Sequence, residues 1–245
     1  MAGDRLDLYV ALADAIDSSR ALAACQDILS SDEQQRAERF AFERHRRQYI
    51  LAHGLLRFAL SEATPGVAPA DWSFTTGRYG RPYVAAPATA LHFSLSHTEG
   101  CVACVVSTHE TVGVDVEKVS PRNAPMDTAR RFFSPEEVEA LRDLPPDDAI
   151  DRFFDYWTLK EAYLKARGFG LSLPLDKFSM RISAAGIAIS FQPDITDDPR
   201  QWHFTMSLPS AVHRLAIADG SGVANGLPIT RHAFRETWLL PSGST

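Results

Sequence analysis

Within this chain of 245 residues, one short stretch restricts the possible folds most: Val112-Gly113-Val114-Asp115-Val116-Glu117. A valine stands at every second position, and side chains of a strand alternate between its two faces. Val112, Val114 and Val116 therefore share one face, which needs a core, while Asp115 and Glu117 share the other. Two carboxylates held side by side repel each other unless a cation or a proton intervenes. Either this polar face is solvated, or the acids are there to hold a cation.

The surrounding pattern is mixed. Residues 6–12 alternate as a strand does, and a helical stretch follows. Ser30 and Glu33 form a capping box, and apolar residues then recur at helical spacing from Phe40 to about Ala63, with a possible break near Arg44. Short strands follow at Trp72–Thr75, Pro82–Ala85, Leu91–Leu95, Val102–Val106 and Val112–Val116. Ser120–Asp127, with Pro121, Asn123 and Pro125, reads as a loop. Ser134-Pro135-Glu136-Glu137 starts a helix that ends before Pro145-Pro146, and another runs from Asp147 or Asp148 to Arg167, closed by Gly168. Strands return at Phe178–Ile182, Ile187–Phe191, Trp202–Ser207 and His213–Ala218. This order predicts an α+β protein of two halves, residues 1–117 and 118–245, meeting near 117–127. The Gly-, Pro- and Ser-rich tail after about residue 220 reads as peripheral.

Composition narrows the function. A net charge of −6 argues against general binding to nucleic acid, which requires basic surface. No stretch approaches the ~18 uncharged apolar residues of a membrane span, and the N-terminus carries no basic-then-apolar signal. The three cysteines are too few for a disulfide framework. Cys101 and Cys104 lie in an apolar run without a second pair to complete a zinc site, so they read as buried strand residues. A cytoplasmic protein is expected.

Three further stretches carry chemistry. Trp157, Glu161 and Lys165 fall on one helix face, which suits either a surface ion pair beside a packed tryptophan or a site. Ser96 and His97 end a strand, where hydroxyl and imidazole can contact phosphate; no hydrolase elbow G-x-S-x-G surrounds them. Gly77-Arg78-Tyr79-Gly80-Arg81-Pro82-Tyr83 is either a plain hairpin turn or a close-approach turn with an arginine fork for phosphate.

In this order and spacing, five segments resemble the Sfp-type 4′-phosphopantetheinyl transferases. They are Gly80-Arg81-Pro82, Phe93-Ser94-Leu95-Ser96-His97, Gly113-Val114-Asp115-Val116-Glu117, Arg131-Phe132-Phe133-Ser134, and Trp157-Thr158-Leu159-Lys160-Glu161-Ala162-Tyr163-Leu164-Lys165. The resemblance covers roughly residues 36–180. It implies two pseudo-symmetric, sandwich-like α/β halves with the active site between them. It also implies Mg²⁺-dependent transfer of the phosphopantetheine arm of coenzyme A to a serine of an apo acyl or peptidyl carrier protein.

By the resemblance, Asp115, Glu117 and Glu161 are metal ligands. Glu161 is the first choice of base, with Glu117 as the alternative, and Lys165 attends the departing phosphate. Lys160, Lys165, Ser96 and His97 contact the coenzyme's phosphates, and Gly80, Arg81 and Pro82 form the adenine-side turn. Residues 36–57 hold six arginines against two glutamates, and Arg47 and Arg57 become candidates for the coenzyme's 3′-phosphate. The carrier is expected to dock near Val119–Phe133, and a chain with both halves is expected to be a monomer. Rival readings are a Mg²⁺-dependent phosphohydrolase and a non-catalytic coenzyme A or carrier-binding module.

Overall fold

The computed structural model describes residues 4–12, 19–77, 79–120, 125–168 and 173–234. Arg78, Pro121 and Asn123 of the stretches above lie outside them, as does the tail beyond residue 234. The chain is mixed α+β and divides into two compact units. One contains Met1–Gly77, Pro82–Glu110 and Pro228–Thr245; the other contains Arg78–Arg81 and Thr111–Leu227.

The first unit is built on a four-stranded sheet ordered β11-β1-β5-β4. Its strands are β1 (Leu6–Leu12), β4 (His92–Thr98), β5 (Cys101–Ser107) and β11 (Ile229–Ala233). β5 pairs antiparallel with both β1 and β4, whereas β11 lies parallel to β1. Every residue of β5 is buried, Cys101 and Cys104 included. Both thiols and that of Cys25 are free, and burial pushes the Cys101 thiol up to about 12. Helices α1 (Ser19–Asp27), α2 (Ser31–Glu38) and α3 (Glu43–Ala63) follow β1. The capping box at Ser30 and Glu33 opens α2, and the break falls at residues 39–42. Tyr49, Leu51, Leu55, Leu56, Ala59 and Leu60 of α3 join Phe93, Val102, Cys104 and Val106 in one core. The hairpin β2 (Ser73–Thr76) and β3 (Pro82–Ala86) completes the unit.

The second unit has a three-stranded antiparallel sheet, β6-β10-β9, formed by β6 (Val112–Lys118), β9 (His203–Ser207) and β10 (His213–Asp219). Against β6 and β10 packs the long helix α6 (Pro146–Arg167). Two short helices precede it, α4 (Pro125–Phe132) and α5 (Pro135–Arg142), the latter opened by the Ser134–Glu137 capping box. A hairpin of β7 (Phe178–Ser183) and β8 (Gly186–Phe191) adds Phe178, Met180 and Ile189 to the core under α6.

Three expectations differ from this architecture. The cut expected at residues 117 and 118 would detach β6 from β10, with which it pairs along its whole length, so the division falls before β6. The tail read as peripheral contains β11, which pairs with β1 and belongs to the first unit. The loop expected at Ser120–Asp127 gives way to α4 at Pro125, a residue suited to a helix's first turn.

Candidate active site

The second unit places the acids of β6 against the last turns of α6. Gly113 makes this approach possible: a Cβ there would lie 2.0 Å from the Ala162 carbonyl oxygen and 2.5 Å from the Ala166 nitrogen. Asp115 and Glu117 follow on the same strand face. On α6, Trp157, Glu161 and Lys165 recur every four residues and form one stripe. Gly168 ends the helix with φ of 66°, donating its N–H to the carbonyls of Leu164 and Lys165.

The side chains meet across this contact. Lys165 Nζ donates to Asp115 Oδ1 at 2.7 Å, so it reaches to the strand. Asp115 is buried, while the Lys165 side chain keeps 31% of its exposure. The Trp157 side chain lies on the same side and favours the charged form of Glu117. Burial, with the charge of Asp115 and a smaller push from Glu161, raises the Glu117 carboxyl to about 7 against the pull of Lys165. Glu161 is raised as well, by burial and by Asp115. The three acids thus share one electrostatic environment with a lysine at its edge.

Sequence reasoning gave Trp157 only a packing role, although its place in the stripe pointed here. It missed Arg214, which stands opposite Glu117 in the β6–β10 register and bonds Asp151 at 2.8 Å and Asp155 at 3.2 Å on α6. Nothing local marks that residue, because its position follows from strand register.

Two expected coenzyme contacts prove to be buried structural cations. Lys160 is fully buried, bonding Glu137 at 2.8 Å and the carbonyls of Leu175 at 2.7 Å and Phe178 at 2.5 Å. It points into the core because Tyr156, Tyr163 and Leu164 flank it on the buried face of α6. Arg57 is 1% exposed and donates to the carbonyls of Pro69 and Trp72 and, at 2.5 Å, to Glu33. Its guanidinium also lies over the Phe74 ring. Neither cation faces an incoming phosphate.

The remaining coenzyme candidates lie on separate elements. Arg47 lies half-buried in the first turns of α3. Ser96 and His97 are consecutive on β4, so their side chains point to opposite faces; Ser96 is buried and His97 exposed. Gly80 has φ of 81°, the left-handed region that glycine adopts without strain, and Pro82 begins β3. Arg81 donates to the Ala166 carbonyl at 2.8 Å. Within Val119–Phe133, residues 121–124 are outside the described residues. Phe133 is core, packed with Phe153 at 5.1 Å between centroids, whereas Arg130, Arg131 and Phe132 of α4 are exposed.

Among the described residues, no group of three or more His, Cys, Asp or Glu side chains stands ready as a metal cage. The donor set of Asp115, Glu117 and Glu161 nonetheless fits a hard divalent cation. All its donors are carboxylate oxygens, and their mutual repulsion, seen in the raised Glu117 and Glu161, is what such a cation would relieve. No described helix is long and apolar enough to cross a membrane.

The model of the 4′-phosphopantetheinyl transferase superfamily matches residues 111–218, the span that contains β6, α6 and Arg214. A 4′-phosphopantetheinyl transferase of Bacillus subtilis is 36% identical over 166 residues, covering 68% of this chain and 72% of its own. The 4′-phosphopantetheinyl transferase HetI of a Nostoc species is 40% identical over 146 residues, 59% of this chain and 61% of its own. The 4′-phosphopantetheinyl transferase Sfp of Bacillus subtilis strain 168 is 32% identical over 166 residues, with shares of 68% and 72%. With the acid–lysine arrangement inside the matched span, the chain belongs to the Sfp-type 4′-phosphopantetheinyl transferase family.

Proposed function

We propose that this phosphopantetheinyl transferase moves the 4′-phosphopantetheine arm of coenzyme A to a serine of an apo acyl or peptidyl carrier protein in the cytoplasm, giving holo carrier and 3′,5′-ADP. The observation that carries the reading is the group of Asp115, Glu117, Glu161 and Lys165 on β6 and α6, within the segment matched to the family.

In this reading Asp115, Glu117 and Glu161 hold Mg²⁺. When bound, the ion supplies positive charge to the coenzyme's pyrophosphate. Glu161 accepts the proton of the carrier serine, Glu117 being the alternative base. The serine oxygen bonds to the β-phosphorus as the bond from that phosphorus to the bridging oxygen breaks, and the electron pair leaves with 3′,5′-ADP. Lys165, held beside Asp115 at the edge of the acids, offsets the charge of the leaving phosphate. Arg47 and the exposed His97 contact the coenzyme's phosphates, and the turn at Gly80 and Pro82 receives the adenine. Exposed Arg130, Arg131 and Phe132 of α4 supply a mixed basic and apolar docking face for the carrier. The two units act as pseudo-equivalent halves of one monomer.

Mass spectrometry of apo carriers incubated with the enzyme, coenzyme A and Mg²⁺ tests the reading. A carrier should gain the mass of the arm. Coenzyme A cleavage that ignores the carrier would identify a phosphohydrolase, and binding without either reaction a non-catalytic module. Asp115→Ala and Glu161→Ala should each lower transfer at least ~100-fold while the fold persists, because each removes a carboxylate that would hold the Mg²⁺ by which the pyrophosphate charge is offset. Near-normal rates in either variant would show the metal assignment to be wrong.

A further inference from the structure

The last four carbonyls of a helix have no partner within it. In α6, the Gly168 N–H serves those of Leu164 and Lys165, and Arg81 Nη1 serves that of Ala166 at 2.8 Å. Arg81 belongs to the second unit, although Pro82, the next residue, belongs to the first. Its charge also complements the negative end of the helix dipole.

The position of this bond gives it consequence. Lys165, which reaches Asp115, is the residue just before Ala166. Gly113, two residues before Asp115, lies against the Ala162 carbonyl and the Ala166 nitrogen. The turn of α6 that carries Lys165 is therefore held by β6 on one side and by Arg81 at its end. A small shift of that turn translates directly into the Lys165–Asp115 separation, because strand and helix touch there through backbone atoms with no side chain between them.

We propose that Arg81 is a positioning residue, which fixes the last turn of α6 so that Lys165 is held at Asp115, and not a ligand of the coenzyme's phosphate. The proposal rests on the transferase reading for its kinetic test and on geometry alone for its stability test.

The kinetic test compares wild type with Arg81→Ala, Arg81→Lys, Lys165→Ala and the double variant Arg81→Ala/Lys165→Ala, varying coenzyme A. Arg81→Ala should lower kcat about tenfold, while KM and the calorimetric Kd for coenzyme A stay within about twofold. Arg81→Lys keeps an N–H donor for the carbonyl and should recover most of kcat. The double variant should be no slower than Lys165→Ala, because Arg81 acts through Lys165. A raised KM and Kd with unchanged kcat would make Arg81 a phosphate ligand and overturn the proposal, as would additive losses or an Arg81→Ala enzyme of normal rate.

The stability test needs no activity. Arg81→Ala and Lys165→Ala should shift the urea midpoint non-additively, whereas additive shifts would overturn the proposed link. Wild-type enzyme that modifies no carrier would defeat the transferase reading and leave this second test to decide on Arg81.

Discussion

Two lysines five residues apart on α6 meet opposite environments. Lys165 is partly exposed at the edge of the acids, while Lys160 is sealed in the core with Glu137. Glu137 also accepts from the backbone N–H groups of Ser134 and Met180, which joins α5, α6 and β7 at one point. Both lysines were visible in the sequence; their different surroundings were not, since only the place of Lys160 between Tyr156 and Tyr163 hinted at burial. Arg57 follows the same pattern, and its partner Glu33 gives it a measurable pH signature. Burial alone would raise the Glu33 carboxyl, but His53, the Ser30 backbone N–H and Arg57 overcome it and lower the carboxyl from 4.5 to about 2. A depressed carboxylate stabilises the fold above its unfolded value and loses that contribution as pH falls through its folded value. The contribution should therefore be complete above pH 4.5 and disappear towards pH 2. Its size should be about 2 kcal/mol, reduced from the full shift by contact with solvent. Urea unfolding of wild type and Glu33→Gln between pH 6 and 2 measures this, and the stability difference should shrink across that window. A difference independent of pH would mean that the Glu33 charge has no role in holding Arg57.

At the scale of elements, features set by neighbouring residues were legible. The capping boxes at Ser30 and Ser134 start helices where expected, and Gly168 closes α6. The alternation of β6 correctly put both acids on one face. The partner of that face came only from the family resemblance, which joined Glu161 and Lys165 to Asp115 and Glu117, because nothing local states which surface α6 covers. The helix α4 was missed because Pro125 was counted with the loop before it. Gly113 unites strand and helix. With an alanine there, the new Cβ would meet backbone atoms of Ala162 and Ala166, which cannot rotate away. β6 and α6 must then separate, so Gly113→Ala should cost about 3 kcal/mol in urea unfolding, the upper range for overpacking. It should also reduce transfer more than the stability loss explains, even where the protein remains folded, because the separation lengthens the Lys165–Asp115 contact. A variant of wild-type stability and rate would show that the helix has room to move.

For the whole molecule, the least legible feature is the return of the C-terminal segment to β1, across more than two hundred residues of chain. Parallel pairing of such distant strands leaves no local pattern, and a Gly-, Pro- and Ser-rich approach disguises the strand. Yet β11 is tied firmly. The Leu6 N–H donates to the Pro228 carbonyl at 2.9 Å, and the Phe234 N–H to that of Val10 at 3.0 Å. His232 stacks on Tyr9 with ring centroids 4.4 Å apart and bonds Asp7 at 3.0 Å. Ending the chain at Leu227 would remove all of these contacts and turn β1 from an inner strand into an edge. Its backbone donors and acceptors on that side would face solvent, and an open edge of this kind invites pairing with another chain. Calorimetry of the truncated protein should show a lower melting temperature, and light scattering should show association that increases with concentration. The chain that keeps β11 should show no such concentration-dependent association. His232→Ala separates the two effects: it removes the ring and its bond to Asp7 but keeps the strand's backbone, so it should lower the melting temperature without causing association. If the truncated protein stayed monomeric and melted as the full chain does, β11 would be an ornament of the sheet and not part of its stability.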